Sequence, residues 1–211
     1  MNQQGNDKQH TSAVTKQQPH HDSTVGGTQQ VNYFQFLLQT VKEPDSVLNH
    51  KYKGFHMYGI ISMSALIVLM ILSSIVSTAV VYDGFDWQIG TFSDHLYRPL
   101  AYAVPLGILI AVYKWRAEKE GKQRTHNYFI EKLGATFTVP IAFLIISIVL
   151  ELIERSTYIH AWFSSMAYTF IYVGIFMVTY LFVSHRNLKV ASLFLFGYYM
   201  AYRLLYMIIT G

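Results

Sequence analysis

Long, mostly apolar runs fill the chain from residue 57 onward, and they are separated by short polar segments. A bilayer core of about 30 Å needs about 20 helical residues to cross it, and five runs reach that length. The sequence therefore predicts an all-α fold, a polytopic helical membrane protein with a five-helix transmembrane domain over residues 57–211. The predicted spans are Met57–Val81, Leu96–Trp115, Leu133–Ile153, Ala161–Val183 and Val190–Ile209.

Residues 31–56 show the alternation of apolar and polar residues that is typical of amphipathic helices. Four apolar residues recur at the i, i+3, i+4, i+7 spacing of one helical face, and a second short helix is predicted after Pro44. Such helices are typical of a membrane surface, but packing against the protein's own loops would select the same pattern. Both alternatives stay open, and both make the segment cytoplasmic. The four residues are Phe34, Leu37, Leu38 and Val41.

Residues 1–30 have almost no apolar residue to bury and are rich in Gln, His, Ser, Thr and Gly. A segment of this composition predicts a disordered polar tail. His10, His20 and His21 are chemically able to bind a metal, but no fold fixes their geometry. The tail is therefore interpreted as neither a metal site nor a domain.

The distribution of charge predicts the orientation of the spans. Lysine and arginine accumulate in loops on the cytoplasmic side of a membrane. Here they precede the first span and follow the second and fourth. The segment after the first span instead offers Asp83, Asp86 and Asp94 against one arginine, and the turn after the third has only Arg155. This pattern places the N-terminus in the cytoplasm and the C-terminus outside. It also explains the net charge of +4 without a nucleic-acid partner, because the basic residues flank spans and form no basic domain.

The residues give no sign of an enzyme, a cofactor or a metal site. The chain contains no cysteine, which excludes disulfides and cysteine zinc sites. Metalloprotease, hydrolase, P-loop and dinucleotide motifs are all missing. The histidines are scattered singly at helix ends, and His95 and His160 form the only pair expected on the outer side.

Charged residues inside the predicted spans form the candidate functional cluster, because a charge in hydrocarbon is costly and usually has a role. Arg203 in the fifth span and Glu151 and Glu154 in the third reach similar depth in the outer part of the bilayer, so a pairing is geometrically open. Tyr199 and Tyr206 flank Arg203 at i−4 and i+3. The alternative is that Arg203 extends to the outer headgroups and pairs with nothing inside the protein.

Small residues predict close contacts between spans. Ala103, Gly107 and Ala111 form a small-xxx-small ladder on the second span, and Ser73 and Ser77 do so on the first. The ladders do not identify which helices meet.

Two segments carry a resemblance to a known family. The amphipathic "LLQTVKEPDSVLNHKYKGF" precedes the spans, and in "YFIEKLGATFTVPIAFLI" an LG and then a proline open the third span. With these segments, residues 31–211 resemble the Yip family of five-span membrane proteins, in particular its bacterial branch. In eukaryotes this family implies binding of small GTPases and roles in membrane shaping or trafficking. Bacterial relatives with an N-terminal zinc ribbon differ from this chain, which has no cysteine for one.

These observations lead to three functional hypotheses. The first is a non-enzymatic integral membrane protein of the bacterial cell membrane, an adaptor or membrane organiser with the lipid bilayer and membrane or cytoplasmic proteins as partners. The alternative is a small transporter or channel component that uses the Arg203, Glu151 and Glu154 cluster. A membrane enzyme acting on lipid comes third, and it would need carboxylates and histidines facing the headgroups.

Overall fold

The computed structural model describes residues 32–43, 48, 56–81, 92–122, 124–153, 158–184 and 186–211. These residues are all-α, with no strand among them. The predicted tail and most of the predicted second amphipathic helix lie outside the described residues. The elements are α1 (Tyr33–Lys42), α2 (His56–Val81), α3 (Phe92–Lys119), α4 (His126–Thr136), α5 (Thr138–Ile153), α6 (Ile159–Val178), a π-helix (Thr179–Val183) and α7 (Leu188–Thr210).

Four of these helices are long and apolar enough to cross a membrane, as expected for a multi-pass integral membrane protein. They are α2, α3, α6 with its π-helical extension, and α7. A fifth span exists if α4 and α5, which meet at an angle of 42°, cross the membrane as one bent unit. The prediction of apolar helices of spanning length is thus confirmed for four of the five runs.

The predicted third span, Leu133–Ile153, is not one continuous helix. It breaks at Phe137, and α5 alone has only 16 residues. Pro140 explains the break, because it has no N–H to bond the carbonyl of Thr136 and its ring clashes with that carbonyl. In the observed structure Pro140 lies in the first turn of α5, where a missing N–H costs nothing.

The five long elements form a closed ring in which neighbours pack in the order α2, α3, α7, α6, α5 and back to α2. The fourth helix, α4, contacts α2, α3 and α6, so it lies at one end of this ring. We call this the α4 end and the opposite one the cleft end. The aromatic side chains of Phe129 and Phe137 are fully buried at the α4 end. Trp115 near the α4 end and Trp162 near the cleft end are exposed. Tryptophan is enriched at the two membrane–water interfaces, which the two ends of a spanning bundle reach.

The closest approach between helices joins α2 to α4 at two glycines. A Cβ atom on Gly134 would lie 2.3 Å from the Cα of Gly59, and one on Gly59 would lie 2.4 Å from the carbonyl oxygen of Ile130. Only glycine allows two backbones to come this near. By contrast, a Cβ on Gly107 would meet nothing within 4 Å, so the predicted ladder on α3 is not a close helix contact among the described residues.

Two basic residues at the α4 end bind the carbonyl groups where the π-helix finishes. Arg124 Nη1 donates to the Phe182 carbonyl at 2.5 Å, and Arg116 Nε donates to the Val183 carbonyl at 3.4 Å. The last carbonyls of a helix have no partner within it, and cations are stabilising at this negative end. Some of the basic residues that predict orientation therefore also complete the fold.

Candidate functional site

A polar cleft opens at the cleft end of the ring, between α2, α3, α5 and α6. Its first lobe has a volume of about 340 Å³ and contains one charged side chain, that of Arg98, among hydroxyl groups. The second lobe, of about 230 Å³, shares Ser73, Ser77, Arg98, Ser164 and Tyr168 with the first and extends to Ser147, Glu151 and His160. The first lobe is lined by Ser73, Ser74, Ser77, Thr78, Arg98, Ser164 and Tyr168.

Local helical spacing gathers the hydroxyl groups on one side of α2. Ser73, Ser74, Ser77 and Thr78 follow one another at i, i+1, i+4 and i+5, so they form one strip along the helix. Thr78 donates its hydroxyl to the carbonyl of Ser74 at 3.0 Å, while Ser74 itself is bonded to His95 Nδ1 of α3 at 2.9 Å. The last bond joins two neighbouring spans beside the cleft.

Arg98 is held over an aromatic ring. Its guanidinium carbon lies 4.2 Å from the ring centroid of Tyr168 in α6, a cation–π contact, and Tyr202 of α7 is within hydrogen-bonding reach. Because α3 begins at Phe92, Arg98 lies about 9 Å along the helix, inside the stretch long and apolar enough to span. Arg98 is thus an exposed cation that lines the cleft near the end of this span.

A cluster of tyrosines forms the floor of the cleft one turn deeper. The rings of Tyr102 and Tyr202 lie 4.2 Å apart, and the hydroxyls of Tyr102 and Tyr172 lie 3.2 Å apart. The Tyr198 hydroxyl donates to the Tyr102 carbonyl at 3.2 Å. Below them an apolar gap of only about 10 Å³ separates α2, α3 and α6. A gap of that size holds at most one water, so the cleft does not continue through the described part of the bundle.

Glu151 lies buried in the second lobe, opposite a histidine. Its carboxylate oxygen Oε1 is 3.8 Å from Nε2 of His160 in the first turn of α6, and the Ser147 hydroxyl donates to the His160 carbonyl at 2.7 Å. These contacts join α5 to α6. The two histidines expected as an outer pair therefore have different partners, Ser74 for His95 and Glu151 for His160.

Arg203 and Glu151 do not form the pair that the sequence left open. Among the described residues, α5 and α7 are not neighbours in the ring, and the ion pairs between described side chains do not include Arg203. Arg203 is exposed. The ring order is the physical reason, because α6 stands between α5 and α7. Glu154 lies outside the described residues, so its pairing with Arg203 stays a prediction.

The flanking tyrosines also contact other groups. Tyr199 packs edge-on against Tyr172 with 6.1 Å between ring centroids, and Tyr206 packs against Tyr202 at the same distance. Of the predicted cluster, the structure thus brings Glu151 to the cleft and leaves Arg203 on the outer surface of α7. The cleft cation is Arg98, which lies inside the predicted span Leu96–Trp115 but is not part of the predicted cluster.

At the α4 end, α1 has three distinct faces. One face is buried, with Phe36 packed against Ala135 and Tyr58 and with Thr40 also buried. A second face, which we call the apolar stripe, consists of Phe34, Leu38 and Val41, whose exposed fractions are 78%, 55% and 63%. The third face is polar and carries Gln35 and Lys42. Leu37 is partly buried with Phe36, so it leaves the four-residue pattern predicted for one face.

The described residues contain no group of three or more His, Asp or Glu side chains arranged to hold a metal ion. Comparison of the chain with protein-family models, with curated proteins and with solved structures gives no match. The arguments about function therefore stand on the two surfaces described above, the cleft and the apolar stripe.

Proposed function

We propose that the protein is a non-enzymatic membrane organiser that inserts the apolar stripe of α1 into the inner leaflet beside its span bundle. The observation that carries the proposal is the three-faced α1. One face binds the bundle, one exposes large apolar residues and one is polar. A helix with this division fits the boundary between headgroups and acyl chains, where it contacts protein, lipid and water at once.

The contacts of α1 support a position at membrane level. The Tyr33 hydroxyl lies 3.1 Å from the Ser62 hydroxyl, and Ser62 is six residues, or about 9 Å, into the spanning helix α2. The helix also packs against both α4 and α5, the two halves of the bent span. An element held this close to spanning helices lies at the membrane surface, with lipid beside its apolar stripe and water beside its polar face.

The position of α1 also supports an effect on membrane shape. Apolar side chains inserted at the boundary of one leaflet expand that leaflet relative to the other, and binding of this kind is sensitive to curvature. The contacts of α1 with the bundle would keep these inserted side chains permanently in the leaflet. Membership in the Yip family, the bacterial cell membrane as location and the cytoplasmic position of the α4 end belong to the same proposal, and they rest on the residues and the basic loops described in the sequence analysis.

Reconstitution tests this function. The purified protein is inserted into lipid vesicles at a series of protein-to-lipid ratios, and vesicle diameters are measured by electron cryomicroscopy. We expect smaller or tubular vesicles as the protein fraction rises. A variant with Phe34→Ser, Leu38→Ser and Val41→Ser is expected to leave the vesicles unchanged, because it removes the inserted apolar area without touching the buried face.

Lys42→Gln provides the matched control, since Lys42 is exposed on the polar face of the same helix. It is expected to behave as the wild type. Equal curvature with the wild type and the triple variant would contradict the organiser proposal. The adaptor form of the hypothesis would be favoured by a different result. In that case neither the wild type nor the triple variant changes vesicle shape, but the triple variant no longer captures the cellular proteins that the wild type captures.

The cleft favours a second candidate, a small transporter or channel component. The specific observation is a charged, hydroxyl-lined space at one end of the spans, with Arg98 and Glu151 as its charges. It requires a second conformation, because Tyr102 and the apolar residues below it close the described bundle. Anion or proton flux into sealed proteoliposomes, lost on Arg98→Gln or Glu151→Gln, would support it, and an absence of flux would leave the organiser proposal alone.

A further inference from the structure

The lining of the first lobe of the cleft carries positive charge and hydroxyl groups but no negative charge. It combines one permanent cation with five aliphatic hydroxyl groups and contains no carboxylate among its lining residues. Guanidinium and hydroxyl groups are the hydrogen-bond donors that proteins use to bind phosphate oxygens. The volume of about 340 Å³ lies within the range of small-molecule sites.

We propose that this lobe binds a phosphoryl anion, with Arg98 as the charged ligand and the hydroxyls of Ser77 and Ser164 as supporting donors. The proposal concerns the end of the bundle opposite to α1 and does not depend on the organiser function. Variants of the apolar stripe are expected to leave this binding unchanged, so failure of one proposal is distinguishable from failure of the other.

The contacts of Arg98 leave it able to take a ligand. Tyr168 covers the face of the guanidinium at 4.2 Å without using the N–H donors at its edge. Tyr202 takes one of the five donors, so the others remain for a ligand. The ion pairs between described side chains do not include Arg98. Its positive charge is therefore oriented by an aromatic ring and not neutralised by any described carboxylate, which favours an anion in the adjacent space.

Glu151 determines which part of the cleft the anion occupies. Its carboxylate lines only the second lobe and lies next to His160, at 3.8 Å. Repulsion from this carboxylate disfavours an anion there, whereas the first lobe offers donors alone. The shared residues Ser73, Ser77 and Ser164 form the boundary between the two lobes.

Two sources can supply the phosphoryl group at this depth. One is a phospholipid headgroup, since Arg98 lies about 9 Å along α3 from Phe92, near the end of a span. The other is a phosphate or phosphate ester from the aqueous phase. Both present the same oxygens to Arg98, so the binding assay uses one probe for each source.

The experiment measures binding to the full chain in a neutral detergent by isothermal titration calorimetry. The probes are inorganic phosphate, dihexanoyl-phosphatidylglycerol and, as a lipid without phosphate, dihexanoylglycerol. Arg98→Gln is expected to raise the Kd of the phosphoryl probe about tenfold or more, because it removes a charge-assisted hydrogen bond. Ser77→Ala combined with Ser164→Ala is expected to raise it severalfold while leaving the packing of Arg98 on Tyr168 in place.

Arg203→Gln is the matched control, since it removes an exposed arginine of α7 that does not line the cleft. Its effect on the Kd is expected to stay below about twofold. Binding of phosphatidylglycerol alone identifies a lipid headgroup as the source, and binding of inorganic phosphate identifies a soluble one. The proposal is overturned if neither inorganic phosphate nor dihexanoyl-phosphatidylglycerol binds. It is also overturned if dihexanoylglycerol binds as tightly as the phosphoryl probes, or if Arg98→Gln and Arg203→Gln change the Kd equally. Should Arg98→Gln fail to fold, wild-type affinity in the double serine variant overturns it.

Discussion

Replacement of Gly134 by alanine tests the central helix contact of the fold. The structure places the new Cβ 2.3 Å from the Cα of Gly59 and 2.6 Å from its carbonyl oxygen. Both atoms belong to backbone, so no flexible side chain is available to move aside. Since carbon atoms pack at about 3.5–4.0 Å, α2 and α4 must separate by about 1.2 Å or more at this point.

Two opposing effects determine the size of the change. Overpacking of a filled contact costs about 1–3 kcal/mol, and the upper value applies here because the obstacle is backbone. Alanine in place of glycine stabilises a helix by up to about 1 kcal/mol, which offsets part of that cost. The net loss in free energy of unfolding is therefore about 2 kcal/mol. For a chain of this size that loss corresponds to a fall in Tm of about 4–8 °C.

The assay is thermal unfolding of the purified protein in detergent, followed by intrinsic fluorescence. Gly107→Ala and Gly197→Ala are the matched controls, because both glycines lie inside helices and a Cβ on either would meet nothing within 4 Å. These controls are expected to be neutral or slightly stabilising. If Gly134→Ala were as stable as they are, α2 and α4 would not cross at the two glycines and the argument would fail.

Three further predictions follow from the buried and exposed charges. Lys132→Met is expected to destabilise the protein by about 3–5 kcal/mol, because it removes the cation that lies 3.1 Å from the buried carboxylate oxygen Oε1 of Glu131. Glu131→Gln in the same chain should recover much of the loss in a denaturation experiment. Arg203→Met and Glu151→Gln are expected to be additive within about 0.5 kcal/mol, and a larger coupling would show that they do interact. A reporter active only in the cytoplasm should work when inserted at Gly121, and a silent reporter there would reverse the proposed orientation.

The sequence predicts the long helices well because each is indicated by an apolar composition over about 20 residues. That composition does not depend on which helices pack together. It predicts the break in the third span less well. The period of apolar residues continues through Phe137, and a proline does not by itself require a break, because α3 is continuous through Pro99 and Pro105. Proline alone was compatible with either outcome.

The site is harder to predict because it depends on which spans are neighbours. Arg203 attracts attention as a lone cation in an apolar run, yet the ring order leaves it on the surface. Arg98 lies near the start of the predicted span Leu96–Trp115, and only the fold shows that Tyr168 of another helix packs on its guanidinium group beside the cleft. One available signal was the strip of hydroxyl residues on α2, which marks a polar face within an otherwise apolar span.

The position of α1 is the central claim, and a depth measurement tests it most directly. The chain has no cysteine, so single-cysteine variants accept one fluorophore each without background. Val41→Cys on the apolar stripe and Gln35→Cys on the polar face lie about 120° apart around the same helix. In reconstituted vesicles we predict that lipid-borne nitroxides quench the label at position 41 and that aqueous iodide quenches the label at position 35. Equal quenching of both labels by iodide, with none by the lipid nitroxides, would contradict the insertion of α1 into the membrane.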